Sequence, residues 1–225
     1  MLPVLKRPYL LFLGNAPSLL DAKTAMGIAH WRPEHCCGQL RLADCKADTG
    51  LPDLDLQRAK DAGAQSLIIG VAPMGGAFAP EWLQVIHQAA RLGFDIVSGL
   101  HTKLGTIPQL AELASTHGGR LIDVRVPPSG IKVATGAPRT GRRLLTVGTD
   151  CAVGKKYTAL ALDRALLQRG RKSTFRATGQ TGIMISGSGI PIDAVVCDFV
   201  AGAAEALSEP CSSSALWPHV ATIHL

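Results

Sequence analysis

The sequence predicts an α/β protein of two domains: a Rossmann-like N-terminal domain built on a parallel sheet, then a P-loop NTPase-like domain whose sheet is incomplete. Three observations predict it. Apolar runs and amphipathic stretches alternate over residues 1–126. LTVGTDCAVGKKYTAL (145–160) sets a β-type run, a glycine, a loop ending Gly154-Lys155 and a helix in that order. The second segment supplies only two clear strands before residue 208, where a phosphate-loop sheet has about five.

YLLFLG (9–14), SLIIGVA (66–72), DIVSGL (95–100) and RLIDVRV (120–126) read as buried strands. In PEWLQVIHQAARLG, Pro80 suits a first helical turn, Trp82, Val85, Ile86 and Ala89 share a face, and Gly93 stops the helix. In IPQLAELASTHGG, Leu110, Leu113 and Ala114 form the stripe and Gly118 ends it. Such alternation implies parallel strands with helices over the sheet. No GxGxxG follows the first strand, where the text is GNAPSLLDAKTAMG, so NAD is disfavoured.

VPPSGIKVATGAPRTG (126–141) is rich in turn formers, which places a linker at 127–141 between domains 1–126 and 142–225. In the second, RRLLTVG is a strand, YTALALDRALLQRG a helix with Ala159, Leu162 and Leu166 on one face, and KSTFRATG (172–179) a strand. QTGIMISGSGIP (180–191) reads as a glycine-rich loop. IDAVVCDFVAGAAEALS (192–208) has helical period, with Ile192, Val195, Val196, Phe199, Ala203 and Leu207 inward. Residues 209–225 are an atypical tail in which VATIHL is the one candidate strand.

The 225 residues are 47% hydrophobic and 18% charged, with a mean hydropathy of +0.20, which suits an α/β globule with a sizeable core. Aromatics at 4% leave no base-stacking surface, so no nucleic acid is expected as a partner. Net charge is +6, and ten Lys/Arg against two Asp fall between Arg139 and Arg176 while the rest of the chain is slightly acidic. That window contains the loop, so a small anionic ligand accounts for it, with a solvated basic face as the alternative. No CxxC occurs among Cys36, Cys37, Cys45, Cys151, Cys197 and Cys211. Adjacent Cys36-Cys37 chelate poorly even with His30 and His35 nearby, so no metal is expected and reduced thiols in a cytoplasmic protein are the simpler reading. No signal peptide or membrane-length apolar run is visible.

Backbone N–H groups of a glycine-rich turn entering a helix converge on phosphate at the positive end of the helix dipole. The cradle predicted here is Gly148, Thr149, Asp150, Cys151, Ala152, Val153, Gly154, Lys155, Lys156, Tyr157 and Thr158. Gly148 permits the turn, Gly154 lets backbone approach the ligand, and Lys155 supplies an ammonium. The spacing is one residue longer than G-x-x-x-x-G-K-[ST], as in loops of the dethiobiotin-synthetase-like branch, which resemble GTDxxVGKT. The hydroxyl that would hold Mg²⁺ is replaced by Lys156, which cannot ligate a cation. Thr158 lies about 200° round the helix. The loop therefore suits a polyanion bound without metal.

Together with VGTDCAVGKKYTALAL, the stretches FRATGQTGIMISGSGIPIDAVVCDFVAGAAEALS, YLLFLGNAP, HWRPEHCCGQLRL and SGLHTKLG resemble a bacterial phosphate-loop family, domain of unknown function 1611. It includes D-glutamate and other D-amino-acid N-acetyltransferases. The resemblance spans roughly residues 8–208 and implies transfer of acetyl from acetyl-CoA to the amine of a small-molecule D-amino acid. Family chains continue well beyond Leu207-Ser208, whereas EPCSSSALWPHVATIHL matches nothing in them, as expected after a frameshift or early stop.

Acyl transfer needs a base for the amine proton and donors for the thioester oxygen. Asp150 is the candidate base, or a loop-capping Asp, and Cys151 at a helix start is a candidate nucleophile. If the two strands are parallel neighbours, Arg176, Gln180 and Thr181 lie beside the loop and can grip a substrate carboxylate. His101 reads as a structural histidine, and Asp198 and Glu205 as solvated. The rival readings are an ATP- and Mg-dependent ligase or kinase resembling dethiobiotin synthetase, and a non-catalytic nucleotide- or CoA-binding module. Homo-oligomerisation is left open.

Overall fold

The computed structural model describes residues 4–72, 78–138, 142–150 and 153–208, and the backbone of 220–224. The chain divides into two compact units, one ending at Arg125 and the other beginning at Val126.

The first unit is a five-stranded parallel sheet. β1 (Tyr9–Gly14), β2 (Cys36–Arg41), β3 (Ser66–Ile69), β4 (Asp95–Ser98) and β5 (Leu121–Asp123) lie in the order β2-β1-β3-β4-β5. The first, third, fourth and fifth are the four apolar runs of the sequence. β1, β3 and β4 are buried along their whole length, as strands covered on both faces must be. α1 (Lys23–Trp31), α2 (Leu56–Asp61), α3 (Pro80–Arg91) and α4 (Leu110–Thr116) make the crossovers. α3 has Pro80 at its first turn and turns Trp82, Ile86, Ala89 and Ala90 inward. Gly93 and Gly118 take the left-handed conformation just past α3 and α4, where a side chain would be strained.

Chain direction across the sheet reverses between β1 and β3, the usual ligand crevice of open α/β sheets. Here Gly14 backs onto an indole: a Cβ on it would come within 2.6 Å of Trp82. Trp82 Nε1 donates to Asn15 Oδ1 (2.9 Å), and Asn15 Nδ2 donates to Glu81 (3.1 Å). The first β–α turn is thus filled from within. At the other end of the sheet the Asp95 carboxylate, 1% exposed, accepts the Arg120 backbone N–H and its guanidinium and pairs with Lys6 at 3.6 Å.

In the second unit β6 (Arg142–Thr146), β7 (Ser173–Arg176) and β8 (Val220–His224) form a parallel sheet in the order β6-β8-β7. VATIHL does supply a strand, and it is the central one. α5 (Lys155–Gln168) lies against all three strands. Its buried residues are Ala159, Leu160 and Asp163 rather than the predicted Ala159, Leu162 and Leu166, and Leu162 is 37% exposed. A polar residue on the inner face rotated the apparent stripe.

Three further expectations are corrected here. Residues 180–186 are not loop but α6 (Gln180–Ser186), buried from Thr181 to Ile185. A helix enclosed on every side has no polar face to give it an amphipathic signature. Residues 192–208 are not one helix but two 3₁₀ turns followed by α7 (Val200–Leu207), which leaves Val196 67% exposed. Part of the segment read as a linker makes fixed contacts. Ile131 packs with Ile190, Ala203 and Leu207, and Thr135 donates through N and Oγ1 to the Glu205 carboxylate at 2.7 and 2.6 Å. Glu205 is therefore a tether for this segment rather than a merely solvated residue.

Among the described residues no helix is long and apolar enough to cross a membrane.

Candidate functional site

β6, the loop after it and α5 form the strand–loop–helix that the sequence predicts. Val147, Gly148, Thr149 and Asp150 are exposed; Cys151 and Ala152 lie outside the described residues. Gly148 has little room beside it: a Cβ would come 2.8 Å from Val153 Cγ2 and 3.2 Å from the Lys155 stem. Gly154 is left-handed at φ +98° and occupies the N-cap of α5. Its carbonyl accepts the first helical bond, from Thr158 N at 2.9 Å. Thr146 Oγ1 donates to the Lys155 carbonyl (3.2 Å) and ties the end of the strand to the start of the helix.

The Lys155 ammonium folds back over the loop and donates to the Asp150 carbonyl at 2.7 Å. Lys156 Nζ lies 4.5 Å from the centre of the Tyr157 ring, a cation–π contact. Burial pushes the Tyr157 phenol above its ordinary range. No acidic residue occupies the first turn of α5. Two lysines and the positive end of a 14-residue helix thus meet at the first turn of α5.

Arg176 ends β7 in register with Ile223, and Thr146 ends β6 in register with His224. Both residues stand at the carboxyl edge of the sheet, but β8 separates their strands, so they are not the neighbours predicted. Two inter-strand spacings put β6 and β7 about 10 Å apart. Arg176 Nε is buried with no acceptor. Gln180 starts α6 half-buried, while Thr181 is 7% exposed and turned into the unit.

In the first unit the SGLHTKLG stretch wraps the ends of β4 and β5. Ser98 Oγ accepts Leu100 N (3.1 Å), and the Asp123 carboxylate accepts Leu104 N (3.0 and 3.2 Å). Burial raises the Asp123 pKa, opposed by the Leu104 hydrogen bond and by Lys103. Sequence reading passed over Asp123, whose only signal was the end of an apolar run. His101 is exposed, so packing does not account for it. Cys36 and Cys37 donate to the Arg32 and Tyr9 carbonyls.

Residues 40–127 match a family model described as the Rossmann-like domain DUF1611_N, and residues 132–223 match the P-loop domain DUF1611_C. The chain belongs to the DUF1611 family. A D-glutamate N-acetyltransferase of Tritonibacter scottomollicae is 54% identical over 205 residues, spanning 91% of this chain and 62% of that protein. A second protein of that name, from a Pseudoalteromonas species, is 46% identical over 204 residues, 91% of this chain and 61% of its own length. The crystal structure of a DUF1611 protein from Anabaena variabilis superposes with a TM-score of 0.76 at 33% identity, over 90% of this chain and 62% of that one. The DUF1611 chain described here therefore spans about three-fifths of the length of these relatives.

Proposed function

We propose that this DUF1611 chain binds acetyl-CoA through its phosphate loop and serves acetyl transfer to the amine of D-glutamate or a related D-amino acid. Two relatives bear the name D-glutamate N-acetyltransferase. The observation that carries the ligand assignment is the Lys155–Lys156 pair at the first turn of α5, with no carboxylate in that turn. Coenzyme A has a pyrophosphate and a 3′-phosphate, so a metal-free cationic turn suits it.

The fit is supported by the contacts of the two lysines. The Lys155 ammonium rests on a loop carbonyl, a neutral acceptor that a phosphate oxygen outcompetes because it adds the attraction of an opposite charge. Lys156 spreads its charge over an aromatic face and offers no lone pair to a cation. Gly148, Thr149, Asp150, Val153 and Gly154 would supply backbone to the phosphates, and acetyl-CoA would supply an activated thioester.

Of the chain's own groups, Asp150 is the carboxylate on this loop and is assigned to take the amine proton. The unsatisfied Arg176 Nε is assigned to the substrate carboxylate, because a buried donor left unpaired costs about 1–3 kcal/mol that an anion would recover. Gln180 flanks it.

Incubation of the chain with acetyl-CoA and a panel of D-amino acids, read as free thiol released, tests the proposal. D-glutamate-dependent thiol supports it. Magnesium-dependent ADP formation from ATP with no thiol release would instead establish the ligase or kinase reading.

A further inference from the structure

The first unit contains a groove of about 870 Å³ that no part of the acetyl-transfer reading uses. It lies past the carboxyl end of β2, between the start of α2 and the outer side of α3. Its volume falls within the roughly 300–1,000 Å³ of small-molecule sites.

The lining decides what chemistry fits. Leu40, Leu42, Leu54, Leu56, Val85 and Leu92 form an aliphatic wall, and among the described residues no aromatic side chain lines the groove, so they offer a nucleobase nothing to stack on. Several polar groups there are already committed. Arg41 is held in a bidentate pair with Asp53, Asp55 caps α2 by accepting Arg58 N (2.8 Å), and Gln57 donates to Asp61 (2.8 Å). With those removed, one carboxylate and one guanidinium remain, Asp44 and Arg91. Asp44, Asp53 and Asp55 outnumber Arg41 and Arg91 in the lining, so a polyanion is disfavoured.

Asp44 is held in place by its backbone. Leu42 N donates to Gly14 O (2.8 Å), Cys45 N to Leu42 O (3.2 Å) and Lys46 N to Ala16 O (2.9 Å). Between these anchors Asp44 takes a left-handed conformation, φ +65°, which Asp and Asn tolerate better than most residues. Arg91 stands in the last turn of α3, part of a long helix packed on the sheet. A carboxylate on a backbone-anchored turn and a guanidinium on a helix therefore both stand beside an aliphatic wall.

We infer that this groove binds a short aliphatic peptide of two or three residues with both ends free. Asp44 takes the terminal ammonium, Arg91 takes the terminal carboxylate, and the leucine wall takes the side chains. A dipeptide or tripeptide fills more of this volume than a single amino acid does. The site is independent of the phosphate loop, so its failure would leave the acetyl-transfer reading standing.

The test is isothermal titration of the full chain with the dipeptide leucyl-leucine, its N-acetyl form, its C-terminal amide, and glutamyl-glutamate. Saturable binding of leucyl-leucine is expected, with about tenfold or greater loss on capping either end, and little binding of the acidic peptide. Asp44→Asn and Arg91→Gln should each produce the same loss as the matching cap, and capping the matching end of the peptide should then cost nothing further. Circular dichroism of both variants, and thiol release from acetyl-CoA, should be unchanged. Absence of saturable heat, or binding indifferent to caps and substitutions, would overturn the inference. Sensitivity to only one end would also overturn it, because the assignment is to a zwitterion.

Discussion

Lys155 Nζ donates to the carbonyl of Asp150, 2.7 Å away and five residues back along the same loop. The bond keeps the ammonium over the turn instead of letting it sample solvent, so the charge is in place before a ligand arrives. Removing a charged hydrogen-bond donor costs about 1.5–3 kcal/mol. Lys155→Ala should accordingly lower coenzyme A affinity about ten- to a hundredfold, measured by calorimetry. Unchanged affinity would detach the loop from the ligand.

The segment before β6 is held on α7 by a missing side chain. A Cβ at Gly202 would stand 1.7 Å from the Lys132 carbonyl oxygen. No rotamer relieves a clash with backbone, so Gly202→Ala must push residues 131–135 off the helix and strain the Thr135–Glu205 bonds. Overpacking of this kind costs about 1–3 kcal/mol. The midpoint of urea unfolding followed by circular dichroism should fall, and the same substitution at Gly105, where nothing lies near and φ is not positive, tests the change of backbone freedom alone. Equal effects at the two sites would refute the contact.

His35 gives the first unit a pH dependence. Burial lowers its pKa, assisted by Arg7 and Arg32 and opposed by Glu34, and its Nδ1 is buried without a partner. The unfolded chain therefore takes up this proton at higher pH than the folded one. Stability from this group is complete above about pH 6.5 and is lost as pH falls through the interval between that value and the lower folded pKa. His35→Phe should flatten the decline in urea midpoint between pH 7 and pH 5. A slope identical to that of the parent chain would contradict the assignment.

The cysteines should separate by reactivity. Burial, with Cys37 and Glu34 adding to it, pushes the Cys36 thiol up to about 12, and burial raises Cys37 as well, whereas Cys197 is exposed. Because the thiolate is the nucleophile, iodoacetamide at pH 8 should label Cys197 well before Cys36 or Cys37, by peptide mass mapping. Early labelling of Cys36 would mean that the start of β2 is open.

Much of this was legible in the chain. β1, β3 and β4 announce themselves because strands covered on both faces are mostly apolar, and β5 because Leu121 and Ile122 open a short apolar run. β2 does not, because its centre carries Gly38 and a buried Gln39. Gln39 pairs with Asp48 and Thr49, and periodicity cannot see a polar residue satisfied by a distant loop. α6 was hidden by being buried on all sides, and α5 was misregistered by the buried Asp163. The strand and the helix on either side of the phosphate loop were readable. That β8 would separate Arg176 from β6 depends on strand order, which local sequence does not carry.

The central claim is that this turn holds an anionic ligand with ammonium groups and amides and needs no magnesium. Titration of coenzyme A into the chain, once with excess EDTA and once with magnesium chloride, tests it most directly. The account predicts the same affinity in both, lost in the Lys155→Ala, Lys156→Ala double variant. Binding that appears only with magnesium, or that survives the double variant, would contradict it.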